Sequence, residues 1–264
     1  MSQRITIEEL RRVTQPDSVR GRANSEHWVA DLYLRRISPY LTRILLKCGF
    51  TPNAVTWLMI ITGVSAGFSL LIPGFTGILL ALLLGQLQML WDCCDGEIAR
   101  WKKKFSPAGI FLDKLGHYLT EATLAVCLGL RLAQWPEKSD VDSKYLLIGV
   151  LLALFIVLNK VLNDAVHVSR YFAGLPKLED SKAANYSEIT LISFAKKIFT
   201  FIPIHRIFHS VEMTIIVFFL TLVGELTKTS ILENIFNWAI PAILFVFIGH
   251  LVSILTSTKL RSPE

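Results

Sequence analysis

The chain has 264 residues, of which 52% are hydrophobic and 18% are charged, with a formal net charge of +6 and a mean hydropathy of +0.49. Soluble domains carry about 25% charged residues, and the charges here crowd into the first fifty positions and a few short loops. The stretches between them are apolar over the roughly 20 residues that a helix needs to cross a bilayer. The composition therefore excludes a soluble globular domain and predicts an all-α integral membrane protein.

Residues 1–52 are predicted to form a cytoplasmic basic arm. They contain no apolar core of the secretory type, so we expect no cleaved signal. The stretch 27–50, HWVADLYLRRISPYLTRILLKCGF, alternates apolar residues with Arg35, Arg36, Arg43 and Lys47. This pattern is typical of an interfacial amphipathic helix on anionic headgroups, although the ordinary basic flank of a first span explains it equally well.

Six transmembrane helices can be drawn in residues 53–264. The breaks fall where helices begin or end easily: PGF at 73–75 is a tight turn, and Ser106 followed by Pro107 is typical of a helix start. The predicted spans are 53–72, 75–100, 108–134, 145–171, 207–226 and 234–256.

The distribution of lysine and arginine predicts the orientation of these spans. Most of the 27 basic residues lie in the arm, between spans two and three, in residues 170–206 and at the C-terminal end, whereas the opposite loops contain Lys138, Lys144 and Lys228. Because basic loops stay in the cytoplasm, we expect both termini on that side. The excess of positive charge is thus assigned to a membrane surface, and we expect no nucleic-acid partner. The compact layout fits a bacterial inner membrane.

Spans two and three carry acidic residues in otherwise apolar sequence. With the turn of this hairpin near Lys104, Asp95 and Asp113 lie nine residues from the turn, while Asp92 and His117 lie twelve and thirteen residues from it. Asp92 and Asp95 share one helical face, and Asp113 and His117 share another. At about 1.5 Å rise per residue, the two sets lie at matching heights and can face each other.

Neighbouring carboxylates that are partly removed from water repel one another. Sites rich in oxygen ligands suit Mg²⁺ or Mn²⁺, so one or two of these ions would compensate the acids. Two alternatives remain open. The acids could be protonated or paired with Arg100, Lys102 and Lys114, or Cys93 and Cys94 could bind zinc together with His117.

The same residues resemble the motif of the CDP-alcohol phosphotransferases, which is D-x-x-D-G-x-x-A-R, eight residues, G-x-x-x-D-x-x-x-D. Seven of its eight positions match with every spacing intact, and the eighth holds histidine. The six-span layout and the TPNAVT opening at residues 51–56 are also similar to that family. The matching positions are Asp92, Asp95, Gly96, Ala99, Arg100, Gly109 and Asp113, with His117 in the last place.

The resemblance implies a reaction and roles for these residues. An acceptor hydroxyl attacks the lipid-linked phosphorus of a CDP-alcohol, typically CDP-diacylglycerol, and CMP leaves. Asp92, Asp95, Asp113 and His117 would be the metal ligands, and His117 would also be the catalytic base. A homodimer in contact with membrane lipids is implied as well. The nucleotide would be bound by Gly96, Ala99, Arg100 and Gly109.

The histidine at position 117 leaves three interpretations open. Imidazole can act as a base, with an unperturbed pKa near 6.5, and it binds Mn²⁺ more readily than Mg²⁺. The protein could therefore be an active transferase with an altered metal preference. It could instead catalyse an altered reaction, such as transfer to another acceptor or cleavage of the CDP-alcohol by water. It could also be an inactive relative that acts as a lipid-binding or scaffold protein. A divalent-cation transporter is the alternative from another functional class.

The fourth span adds polar residues at its cytoplasmic end. Polar groups within spans usually face the bundle interior or a wet cavity. We therefore predict a pocket for an anionic acceptor, lined by Lys160 and Arg170 from span four and by Arg206 at the start of span five. The alternative is an ion pair between Lys160 and Asp164 with the arginines reaching toward the interface.

Overall fold

The protein is a helical bundle preceded by two shorter helices. The computed structural model describes residues 5–16, 33–138, 142–176, 178 and 207–261, and every regular element in these ranges is helical. The helices are α1 (Ile7–Thr14), α2 (Arg35–Lys47), α3 (Pro52–Ser69), α4 (Gly74–Lys102), α5 (Pro107–Leu132), α6 (Ser143–Phe172), α7 (Ser210–Thr227), α8 (Ile231–Phe236) and α9 (Ala239–Thr256), followed by a 3₁₀ turn at Thr258–Leu260.

Each of the six predicted spans coincides with one long helix, from α3 to α7 and α9, within a few residues. Four segments of the described chain are long and apolar enough to cross a membrane: Gly74–Lys102, Ser143–Phe172, Ser210–Thr227 and Ile231–Thr256. The all-α membrane class is thus confirmed, while α3 and α5 as further spans stay a prediction.

The hairpin between α4 and α5 forms as predicted. Helix α4 ends where Lys103 adopts a left-handed conformation, with φ 51°. Ser106 then caps α5, accepting a 3.0 Å hydrogen bond from the Gly109 amide, and Pro107 occupies the first turn. The short connection makes the two helices antiparallel neighbours.

The opposite end of the bundle is fixed by Arg131 near the end of α5. Its guanidinium donates to the backbone carbonyls of Leu70, Ile72 and Gly74, at 2.7–2.9 Å, and so closes the turn between α3 and α4. Main-chain carbonyls at helix ends lack intrahelical partners. The height of α5 relative to α3 and α4 is therefore set by hydrogen bonds at this end.

The largest apolar core fills the half of the bundle near Arg131. It includes Leu70, Ile78, Leu124 and Leu152, each at most 2% exposed. Helices α5 and α6 approach closely there, because a Cβ added to Gly129 would lie 2.8 Å from the Cα of Gly149. Large apolar side chains also cover the outer faces, where lipid would contact them; Ile61, Leu83 and Phe245 are among these. The polar site lies at the other end.

The N-terminal helices dock on α4 through one buried carboxylate. Glu97 is fully buried and accepts hydrogen bonds from Gln15 Nε2 at 2.7 Å, Ser38 Oγ at 2.5 Å and Thr42 Oγ1 at 2.6 Å. A buried charge is costly unless such donors surround it. Glu97 therefore links α1 and α2 to the helix that carries Asp92 and Asp95.

The outer face of α2 is apolar and basic. Ile37, Tyr40 and Ile44 are 47–57% exposed, while the inner face uses Ser38 and Thr42. This is the amphipathicity that the sequence predicts, but the position of α2 at a membrane surface stays a prediction. Residues 27–32 of the predicted interfacial stretch lie outside the described residues.

Replacing Glu97 with leucine should weaken the docking of the arm. The change puts an apolar side chain of similar size there and leaves the Ser38 and Thr42 hydroxyls without this acceptor, while Gln15 keeps its hydrogen bond to the Arg35 carbonyl. Each orphaned polar group costs about 1–3 kcal/mol. We expect the apparent Tm in detergent to fall by several degrees. Glu8→Leu is the matched control because Glu8 is exposed on α1. Equal Tm values for the two variants would contradict the docking role.

Candidate functional site

Three side chains of the motif converge between α4 and α5. His117 Nε2 lies 3.2 Å from Asp92 Oδ1 and 3.6 Å from Asp113 Oδ1. One potential ligand atom from each residue lies within 4.8 Å of the other two. The predicted match in height between Asp92 and His117 is thus present across the hairpin.

Asp95 is placed beside these groups but is held by α3. Its Oδ2 accepts a 2.7 Å hydrogen bond from Thr56 Oγ1, and its charge interacts with those of Asp92 and Asp113. Carboxylates that bind metals are commonly oriented by a hydrogen bond of this kind. Asp95 is not part of the compact group of three, so its role as a ligand stays a prediction.

The donor set of the three converging residues fits a divalent cation. Two carboxylates and one imidazole suit Mn²⁺, while Mg²⁺ favours the oxygens alone. The cysteines belong to different surroundings: Cys93 packs with Leu34 and Met89, and Cys94 is fully buried with Val55 and Ile98. The group of potential ligands found in the described chain contains no cysteine.

The cations that could have neutralised the acids have other contacts. Lys102 donates to the carbonyl of Phe50 at 2.6 Å, and Lys114 pairs with Asp164. Arg100 Nε donates to the carbonyl of Thr14 at 2.5 Å. These contacts are made with groups other than Asp92 and Asp113, and the cluster remains a candidate metal site.

The predicted nucleotide-binding positions surround the same end of the hairpin. A Cβ added to Gly96 would lie 3.1 Å from Arg100 Nη1, so the guanidinium covers that glycine. A Cβ added to Gly109 would lie 3.0 Å from Asn53 Oδ1. Ala99 lies on α4 between Gly96 and Arg100, partly exposed. Arg100 connects the hairpin to α1, and contact of these residues with a nucleotide stays a prediction.

The predicted alternative pairing of Lys160 with Asp164 is wrong. Lys160 Nζ instead lies 2.8 Å from Oε1 of Glu121 on α5, whose side chain is fully buried. Asp164 forms its contacts with Lys114 and with the Tyr118 hydroxyl. The register between α5 and α6 therefore brings each basic residue to an acid on the opposite helix rather than on its own.

The Arg170 guanidinium is hydrogen bonded to backbone carbonyl groups. Its Nε and Nη2 donate to the carbonyl of Pro176 at 3.1 and 2.8 Å, and its Nη1 donates to the carbonyl of Lys259 at 2.7 Å. The side chain is therefore oriented toward the chain past α6 and toward the C-terminal turn. Arg206 lies outside the described residues. Of the predicted acceptor residues that the structure describes, Lys160 is the one whose charge acts on His117.

Four contributors to this end of the bundle escaped sequence reasoning: Thr56, Glu97, Tyr118 and Glu121. Glu121 had a signal, because it follows His117 by four residues and continues the stripe that starts at Asp113. Nothing in the linear pattern identifies the donors to Asp95 and Glu97, since these come from helices distant in sequence.

The comparison with protein families agrees with this geometry. The family model described as CDP-alcohol phosphatidyltransferase matches residues 50–254, which include every motif position and most of the bundle. Among curated proteins, no sequence matches the chain significantly. Because the family model matches most of its length, the chain belongs to the CDP-alcohol phosphatidyltransferase family.

Proposed function

We propose that the protein transfers a phosphatidyl or related phospho-alcohol group from a CDP-alcohol to an acceptor hydroxyl, with release of CMP. CDP-diacylglycerol is the proposed donor, and phospholipid synthesis is the proposed process. The observation that carries this proposal is the convergence of Asp92, Asp113 and His117 at the motif positions of the family. Membership of the family supports the class of reaction.

Asp92, Asp113 and His117, together with Asp95, are proposed to hold one or two Mg²⁺ or Mn²⁺ ions. Such ions, when bound, neutralise a diphosphate and stabilise the charge that develops on leaving CMP. The protein's own contribution is orientation: Thr56 fixes one oxygen of Asp95, and the hairpin fixes the height of Asp92 relative to His117. Gly96, Ala99, Arg100 and Gly109 are the proposed nucleotide contacts.

His117 is proposed to act as the base. Its Nε2 faces the carboxylates that would hold the metal ions. In a complex in which this nitrogen does not bind an ion, a hydroxyl placed there can transfer its proton to it. The oxygen of the acceptor then forms a bond to the lipid-linked phosphorus, and the bond from that phosphorus to the oxygen of CMP breaks. A neutral imidazole is well suited to this task near pH 7.

The remaining proposals concern acceptor binding, orientation in the membrane and oligomeric state. Lys160, Arg170 and Arg206 are the proposed acceptor residues; pairing with Glu121 leaves further donors on the Lys160 ammonium, which carries three. By the positive-inside rule, the site and both termini are proposed to be cytoplasmic, in a bacterial inner membrane. A homodimer is proposed from the family.

The first prediction from the proposed function concerns turnover. Purified protein incubated with CDP-diacylglycerol, Mn²⁺ or Mg²⁺ and a panel of acceptors should release CMP and form a new phospholipid. Asp113→Ala should abolish release, and His117→Ala should reduce kcat by about 10²–10⁴-fold, the usual contribution of a positioned base. Asp164→Asn is the control, since it removes a carboxylate from a neighbouring pair outside the motif and should stay within a few fold of the wild type.

The outcomes of this assay separate the competing functions. No CMP release with any acceptor, although the protein binds CDP-lipid, would leave an inactive binding protein. CMP release that does not depend on an acceptor would indicate hydrolysis. Flux of Mn²⁺ through reconstituted vesicles without turnover would indicate a transporter.

A second prediction concerns the metal preference. His117→Asp restores the acid of the family motif and replaces a nitrogen ligand with an oxygen, which Mg²⁺ prefers. We expect the ratio of the Mg²⁺-supported to the Mn²⁺-supported rate to rise by about tenfold. The measurement is CMP release at saturating concentrations of each metal. An unchanged ratio would show that His117 does not contact the ion.

A third prediction separates Arg206 from Arg170. If Arg206 binds an anionic acceptor, Arg206→Ala should raise the acceptor KM by about tenfold or more, the loss expected for a hydrogen bond between charged groups. Arg170→Ala should lower the apparent Tm because it leaves the carbonyls of Pro176 and Lys259 without this donor. An Arg206→Ala variant with an unchanged KM for every acceptor tried would remove Arg206 from the pocket.

A further inference from the structure

His117 stands where the family motif has an acid, and an imidazole has a second nitrogen whose hydrogen bond must be accommodated. Nε2 faces Asp92 and Asp113. Nδ1 is buried and has no hydrogen-bond partner among the described residues. Buried polar atoms of folded proteins are nearly always hydrogen bonded. A base or metal ligand at Nε2 requires that nitrogen to be unprotonated, so Nδ1 then carries the hydrogen and its surroundings must supply an acceptor.

Glu121 is the candidate acceptor for a hydrogen on Nδ1. It lies one helical turn beyond His117 on α5, and its side chain is fully buried. Neither carboxylate oxygen has a hydrogen bond among the described residues. Oε1 does lie 2.8 Å from Lys160 Nζ. That contact neutralises the charge of Glu121, and the second oxygen, Oε2, has no partner among the described residues.

Helix geometry brings the two groups together. Residues four positions apart have Cβ atoms about 6 Å from each other, and helical side chains lean toward the N-terminus of their helix. Glu121 therefore leans over the turn that carries His117, just as His117 leans toward Asp113. Lys160 Nζ lies 2.8 Å from Oε1 of Glu121, and its charge also acts on the imidazole of His117.

We propose that Glu121 is the positioning residue of His117. Its carboxylate accepts the Nδ1 hydrogen, directly or through one buried water, and so directs the lone pair of Nε2 toward the motif acids and the reacting hydroxyl. Histidines that bind metals almost always donate their other N–H to such an acceptor, and this hydrogen bond selects the tautomer. Lys160 balances the buried charge. The inference rests on the proposed function, because it assigns Glu121 to the base and ligand of that site.

The test compares two charge-balanced double variants. Glu121→Gln with Lys160→Met removes the ion pair but keeps an acceptor oxygen beside His117, whereas Glu121→Leu with Lys160→Met removes both. Neither variant leaves a buried charge unpaired, so both avoid the main cause of misfolding. Two quantities are measured: the Kd for Mn²⁺ alone, and the ¹⁵N spectrum of His117 in histidine-labelled protein saturated with diamagnetic Mg²⁺.

We expect the wild type and the glutamine variant to show a protonated Nδ1 and an unprotonated Nε2. The leucine variant should lose this tautomer preference and bind Mn²⁺ about 10–100-fold more weakly, the usual cost of losing such an acceptor. Asp164→Asn is the control for loss of a nearby carboxylate and should leave the His117 signals unchanged.

The inference is overturned if the two double variants behave alike, because Glu121 would then serve only to neutralise Lys160. It is also overturned if wild-type His117 carries its proton on Nε2, a result that needs no variant. A wild-type protein that binds neither metal would count against the proposed function itself. Metal binding of equal strength in both variants would count against the role of Glu121 alone.

Discussion

The structure depends on holding ionisable groups at one height between α4 and α5. Asp92 and Asp113 face each other across a hairpin that is apolar over most of its length, and charges at such positions must be compensated. The hairpin brings His117 to 3.2 Å from Asp92. The relative height of these helices is fixed at the opposite end of the bundle, where Arg131 closes the turn between α3 and α4 and the apolar core packs next to it. The apolar half of the bundle thus acts as the rigid support for the polar half.

The acids of this end fall into two groups according to their partners. Glu97 has three hydrogen-bond donors from the arm, Asp164 has Lys114 and Tyr118, and Glu121 has Lys160. Each of these contacts is made with another group of the protein. Asp92 and Asp113 instead converge with the His117 imidazole between α4 and α5. Since like charges close together repel unless a cation intervenes, this second group is the candidate for binding a metal ion.

Much of this arrangement was predictable because it follows from local periodicity. The six long helices, the turn at Ser106 and the shared faces of Asp92, Asp95, Asp113 and His117 depend only on residue spacing along one helix or across one short turn. The pairing of Lys160 and the surroundings of Arg170 were not predictable in this way. They depend on how α6 crosses α5 and on where the C-terminal turn ends, which the linear pattern does not contain. The same limit hid Thr56 and the donors to Glu97, since hydroxyl and amide groups carry no signal of their own in sequence.

The histidine at position 117 changes what the site requires of its neighbours. An aspartate can bind an ion and take a proton through equivalent oxygens, so its rotation matters little. An imidazole has two distinct nitrogens, and only the one facing Asp92 and Asp113 can serve the reaction. A chain that adopts histidine there therefore needs a buried acceptor behind the ring, and a cation to balance that acceptor. In the proposed arrangement Glu121 and Lys160 take those two positions, and Lys160 Nζ lies 2.8 Å from Oε1 of Glu121. Their presence gives a physical reason to regard His117 as a working part of the site rather than as a lost acid, because a site without chemistry would have no use for a buried, charge-balanced carboxylate one turn away.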